Sequence, residues 1–219
     1  MSLTFAGTLD RSSLVRAADR LAPLVTSAEV AQAWQHESVL PGMTVGGLTR
    51  HLVSQPECAL EFLGIPAPPA EAAVVSLAEL YQRTDWFPAA VDAAENTSIR
   101  DDFNAMAAGG PAHSAALLAA ALAGLPTALE SAGPLTYVPW QDCWVATDDF
   151  LVVRLMEVVV HADDLAASVD RPTPAFDDDV VQPALALLAL LAAQRHGPVA
   201  AVRALSRAER TPAVIGAFS

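Results

Sequence analysis

The sequence predicts an all-α fold: an antiparallel bundle of four main helices with extra helices at the C-terminal end. Three observations support this. Alanine, leucine and valine dominate a chain that is 53% hydrophobic and only 17% charged, and Ala and Leu are strong helix formers. Apolar residues recur at helical spacing in long blocks, as a helix with one buried face requires. Glycine and proline gather between those blocks, where they stop helices and shape turns. The 219 residues suit one large domain, with 1–170 read as the bundle and 171–219 as a helical extension packed on it.

Leu9–Trp34 reads as the first helix, because Leu14, Ala17, Ala18, Leu21 and Leu24 or Val25 share one face. Pro23 is expected to bend or break it. Ser38–Gly42 is a turn, after which Thr44 can cap a helix over Val45–Leu63. Pro56 is expected to kink or split that helix, and Gly64–Pro69 ends it. A third helical region spans Glu71–Ala108. Its interruption falls near Thr84–Phe87, with Thr84 or Asp85 restarting it and Pro88 in the first turn. Gly109–Pro111 closes the region, and Ser114–Leu125 forms a short, very apolar helix. Ser131–Val145, rich in Gly, Pro and aromatics, lacks helical period and reads as a long ordered loop with room for a short strand. Thr147 or Asp148 caps the next helix, which runs to about Val169. Helices over Asp177–His196 and Pro198–Glu209 complete the chain.

Charge and cysteine content narrow the function. A net charge of −13 argues against nucleic acid and anionic membrane surfaces, which need a basic face. The apolar runs Ala115–Leu125 and Ala184–Ala193 fall short of the roughly 20 residues of a membrane span. The first residues lack a basic segment followed by an apolar one, so no signal peptide is expected. Cys58 and Cys143 form no Cys-x-x-Cys pair. A cytoplasmic protein is the resulting expectation.

The stretch with most chemical content is Arg154–Leu165. Glu157 and His161 stand four residues apart inside an apolar run, so at helical pitch they share one face, one turn apart. Such a pair can grip a divalent metal from a single helix. A third ligand must come from another inward face, and His51, flanked by Leu48, Leu52 and Val53, is the best placed of the five histidines. His36, His113 and His196 read as helix-end or surface residues. Asp164, seven residues after Glu157, can orient a ligand. Arg154 can pair with Glu157 or bind an anionic substrate. The blander readings are a buried Glu157 satisfied by Arg154, a core histidine at 51 and a solvated Asp163. Cys58 would lie about 10 Å from His51 along an unbroken helix, too far to share its ligand shell.

Met43–Leu52 followed by Arg154–Leu165 resembles the mycothiol-dependent maleylpyruvate isomerase family, whose metal-binding domain belongs to the DinB-like bundles. The matching pattern is Met43-Thr-Val-x-x-Leu-x-x-His51, then Arg154-x-x-Glu-x-x-x-His-x-x-Asp-Leu165. The resemblance spans roughly residues 10–170 and implies His51, Glu157 and His161 as metal ligands. It also implies a mycothiol-like thiol as co-substrate. The isomerase of that family carries a separate α/β domain that helps hold the thiol. Residues after Pro172 here read instead as helices, so those thiol contacts do not carry over.

Three protein ligands leave a fourth position for thiol or water, as in catalytic zinc sites. The expected cofactor is a divalent metal, with zinc favoured, although spacing does not separate it from Ni²⁺ or Fe²⁺. The expected partners are a small-molecule thiol, deprotonated beside the metal, and a small electrophile that it attacks, giving thiol transfer or isomerisation. Alternatives are a hydrolase using metal-activated water and a non-catalytic bundle that binds metal or a small ligand. A homodimer fits either class.

Overall fold

The computed structural model describes residues 3–65, 73–90 and 92–218. Helix α1 (Ser13–Val25) buries Leu14, Ala17, Ala18, Leu21, Leu24 and Val25, the face that the periodicity predicts. It stops after Pro23, and Ser27 starts α2 (Ala28–Ala33) by accepting from the Val30 N–H. Helix α3 (Val45–Leu63) begins at its expected cap, where Thr44 Oγ1 accepts from the Gly47 N–H at 2.9 Å. It then continues unbroken past Pro56 instead of splitting. Pro56 is buried, and Ser54 and Gln55 both donate side-chain hydrogen bonds to the His51 carbonyl. Packing and these local bonds thus outweigh the loss of one helical hydrogen bond.

The third region departs most from expectation. Residues 66–72, which include the expected helix stop after Ile65 and the start at Glu71, lie outside the described residues. Ala73–Val75 is a strand, β1, followed by the short α4 (Leu77–Gln82) with a Ser76–Glu79 capping box. Helix α5 starts at Ala94 (Ala94–Met106), later than the predicted restart. After a 3₁₀ turn, α6 runs Gly110–Ser131 with Pro111 at its start, longer than the predicted apolar segment. The segment expected as a loop contains two strands, β2 (Leu135–Val138) and β3 (Cys143–Ala146). They form a small sheet in the order β1-β3-β2, with β3 parallel to β1 and antiparallel to β2. Cys143 and Val145 are buried while Trp144 and Ala146 are half-buried, the two-residue alternation of a strand.

Helix α7 (Thr147–Ser168) follows directly. Neither Thr147 nor Asp148 caps it; both lie in its first turn, and Thr147 Oγ1 donates to the Gly133 carbonyl. The nearly buried Asp148 and Asp149 bind the N-terminal segment instead. Asp149 accepts from the Phe5 N–H and Thr4 hydroxyl, and Asp148 from the Gly7 N–H and Arg11 Nε. Negative charge at a helix N-terminus is also favoured by the helix dipole. Helices α8 (Asp178–His196) and α9 (Pro198–Ser206) close the chain.

Helices α1, α3, α6 and α7 form the core bundle: α3 packs between α6 and α7, α1 touches both, and α8 lies on α7. The contacts His51–Glu157, Gln55–Arg154 and Phe62–Phe150 run in opposite chain directions, so α3 and α7 are antiparallel. The stretch Ala94–Ser131 is long and apolar enough to cross a bilayer by length and composition, unlike the shorter runs counted in the sequence. Its α6 portion packs on α3 and α1.

Replacing Asp148 with Ala removes the acceptor of the Gly7 N–H and of Arg11 Nε, while Arg11 keeps its bond to the Ala132 carbonyl. The expected loss is about 1–3 kcal/mol of unfolding free energy, read from the urea midpoint.

Candidate metal centre

The α3–α7 interface is apolar except for one polar seam. On α7, residues 154, 157, 161 and 164 follow helical spacing down one stripe; on α3, residues 51, 55 and 58 do the same. His51 Nε2 lies 3.3 Å from Glu157 Oε2, and His161 Nε2 lies 3.1 Å from the same oxygen. The three ligand atoms fall within 4.8 Å of one another. With metal–ligand bonds of about 2.0–2.1 Å, the edge of a tetrahedral site is about 3.3 Å, so these positions fit a divalent metal with little adjustment. The two His rings meet edge-to-face with centroids 4.5 Å apart, and Phe103 of α5 packs edge-on against His51 at 4.4 Å.

The start of α3 sets the position of His51. Asn104 of α5 accepts from both the N–H and hydroxyl of Thr44. A Cβ at Gly47 would come within 2.3 Å of Asn104 Oδ1, and one at Gly46 within 2.9 Å of the Trp34 carbonyl oxygen. The paired glycines therefore let α2 and α5 close directly on the first turn of α3.

The side chains of His51, Glu157 and His161 are 18%, 13% and 17% exposed, so each charge state depends on its neighbours. Burial alone would raise the Glu157 pKa, yet the hydrogen bonds from His161 and His51 hold it well below the usual carboxylate range. Burial also opposes a charge on His161, but the Asp164 and Glu157 carboxylates raise it to about 9. His51 is lowered, first by burial and then by the neighbouring His161. At neutral pH this describes a carboxylate, an imidazolium and a neutral imidazole. Asp164 Oδ2 lies 3.0 Å from His161 Nδ1, which leaves Nε2 facing Glu157.

The structure brings His51, Glu157 and His161 together, with Asp164 behind His161. It does not pair Arg154 with Glu157: among the described residues Arg154 forms no ion pair, and its NH1 donates to Gln55 Oε1 at 2.9 Å. Its guanidinium also lies 5.4 Å from the Phe150 ring centre. Cys58 Sγ is 3.7 Å from Arg154 NH1, along the seam from the histidines. His196 bonds to the Gly216 carbonyl and takes no part in the cluster. Trp140 is 61% exposed beside Phe62, and Trp144 packs on Tyr137. Sequence reasoning missed Gln55 and Phe103. Gln55 was legible as the residue one turn after His51; nothing in the sequence marked Phe103.

Among known proteins, the chain matches the family model described as the mycothiol maleylpyruvate isomerase N-terminal domain over residues 14–166. That is a metal-binding, DinB-like domain, and the match covers every residue of the seam. No match was found among curated proteins or solved structures.

A metal must displace the His161 proton. Apparent Zn²⁺ affinity should therefore rise by about tenfold per pH unit up to pH about 9 and then level off, in chelator competition. Asp164→Asn should weaken affinity about 10–100-fold in the same assay.

Proposed function

We propose, from the premise that this chain belongs to the mycothiol maleylpyruvate isomerase N-terminal domain family, that it is a metal-dependent enzyme. Its reaction would be the attack of a small thiol of the mycothiol kind on a small electrophile, with thiol transfer or isomerisation as the outcome. The observation that carries this reading is the convergence of one carboxylate oxygen and two imidazole nitrogens on a single point between α3 and α7.

His51, Glu157 and His161 would hold the metal, and three protein ligands leave a coordination position for a reactant. A divalent ion there, zinc by preference, supplies the positive charge that lets a thiol lose its proton near neutral pH. The chain's own residues prepare that position. Asp164 fixes the orientation of the His161 ring. Phe103 braces His51, and the buried Leu48, Leu52 and Met156 exclude water from the helix contact. The low dielectric they create strengthens every charge interaction inside. Arg154 and Cys58 lie one to two turns along the seam, on the Gln55 side.

Elemental mass spectrometry on protein purified without a His tag tests the reading. We expect one zinc per chain in the wild type and none in His51→Ala, with far-UV helicity retained. Thiol-dependent turnover of electrophiles should vanish with the metal and return when zinc is added. A wild type that holds no metal, even after incubation with Zn²⁺, would falsify the proposal.

A further inference from the structure

Helix α9 buries only one residue, Ala201. Its large apolar side chains point outward: Val199, Val202 and Leu205, spaced by three, are 61%, 64% and 77% exposed. A surface helix of a finished fold normally turns such residues inward. A contiguous exposed apolar patch marks a place where another surface packs. Together with Pro198, Arg203, Ser206 and Arg210, the two valines line an open groove.

The charge beside this groove has the opposite sign to the rest of the molecule. After residue 196 the chain carries three arginines and one acid, whereas residues 1–196 carry nine arginines and 24 acids. Arg11, Arg16, Arg20, Arg50 and Arg171 in the larger part each lie within ion-pair distance of a carboxylate. Arg203, Arg207 and Arg210 are exposed and have no such partner among the described residues. Helix α5 shows the complementary pattern, and none of its residues is fully buried. Glu95, Ile99, Asp102 and Met106 follow helical spacing along one stripe, with Asp101 beside it. Glu95, Asp101 and Asp102 are exposed with no ion pair among the described residues, and Met106 is 49% exposed. Both elements approach Trp86. Asn96 of α5 donates to the Trp86 carbonyl. Phe218 packs on the Trp86 ring, close to Gly216, whose carbonyl bonds to His196 just before α9.

We propose that α9 and the arginines after it dock on α5 of a second copy of this chain. Two copies related by a twofold axis make this contact twice, each giving its tail to the other, and so close a dimer. Val199, Val202 and Leu205 form the apolar centre against Ile99 and Met106. Arg203, Arg207 and Arg210 meet Glu95, Asp101 and Asp102 at the rim. Charge selects this occupant. Packing α9 on α9 would bring arginines together, whereas every copy that carries the basic tail also carries the acidic helix. A nucleic acid or an anionic membrane would meet a molecule of net charge −13, repulsive everywhere outside this short segment.

Light scattering coupled to size exclusion tests the proposal. At about 100 μM chain and low salt the mass should be twice the 22.9 kDa of one chain, falling as added salt screens the rim. Leu205→Asp, the double variant Arg203→Glu/Arg207→Glu and the double variant Asp101→Arg/Asp102→Arg should each weaken the dimer at least about tenfold. All of these side chains are exposed, so the urea midpoint of the monomer should stay unchanged. A 1:1 mixture of the two charge-reversed doubles should recover the dimer mass, because tail and α5 charges match in both contacts of the mixed pair. A monomeric wild type overturns the proposal. If that monomer sediments with phosphatidylserine vesicles and Arg203→Glu/Arg207→Glu does not, the segment is assigned to lipid instead. A dimer that none of the three variants weakens, or a mixture that fails to reassociate, overturns it as well.

Discussion

Glu157 is an acid held between two apolar helices, and the packing of α3 on α7 has to accommodate it. An isolated carboxylate in such surroundings costs several kcal/mol, and proteins normally neutralise or pair it. Here two imidazoles converge on one of its oxygens, and Asp164 supports the second ring from behind. Glu157 is the shared member: without it both imidazoles lose the carboxylate oxygen on which they converge. Around the group, Leu48, Leu52, Leu155, Met156 and Val158 are fully enclosed, so the helices can approach closely only if the polar seam is in register. A rotation of either helix by one residue, about 100°, would take the ligands off the shared face.

That register is set at the helix ends. The first turn of α3 is held by its own Thr44 cap, by Asn104 reaching across from α5, and by two glycines that admit close neighbours. The first turn of α7 is tied to the N-terminal segment through Asp148 and Asp149. It follows β3 without an intervening residue, so the small sheet also fixes its start. Local capping and long-range bonds act on the same turns, and each ligand lies about two to four helical turns beyond such an anchor.

Much of this was legible in the sequence. The Leu14–Val25 face, the Thr44 cap and the Glu157–His161 pair follow from periodicity and side-chain chemistry, and those features appear at the predicted residues. The errors fall where tertiary packing overrode local preference. Pro56 was read as a kink or a split in α3; the split does not occur, and Pro56 sits buried in an unbroken helix. Strand β1 was read as helix, and β2 and β3 as a loop with room for one short strand, because three- and four-residue strands are too short to show a period and gain stability by pairing. Arg154 was weighed as a partner for Glu157 on i, i+3 spacing. Spacing alone gave no sign that two histidines would occupy that carboxylate and that Gln55 would take the arginine.

The C-terminal extension packs on the helix that carries Glu157 and His161. The family match ends at residue 166, before α8. Helix α8 packs along α7 and reaches the segment that carries Tyr81. Gln194 donates to the Ala78 carbonyl of α4, and Arg195 donates to the Phe87 carbonyl just beyond it. Tyr81 stacks edge-on with Trp86 and Phe87, and Phe218 near the C-terminus closes on those two rings. α4 is only six residues long, too short to be stable without tertiary support. The tail therefore supplies the tertiary support that holds α4 and its aromatic neighbours in place.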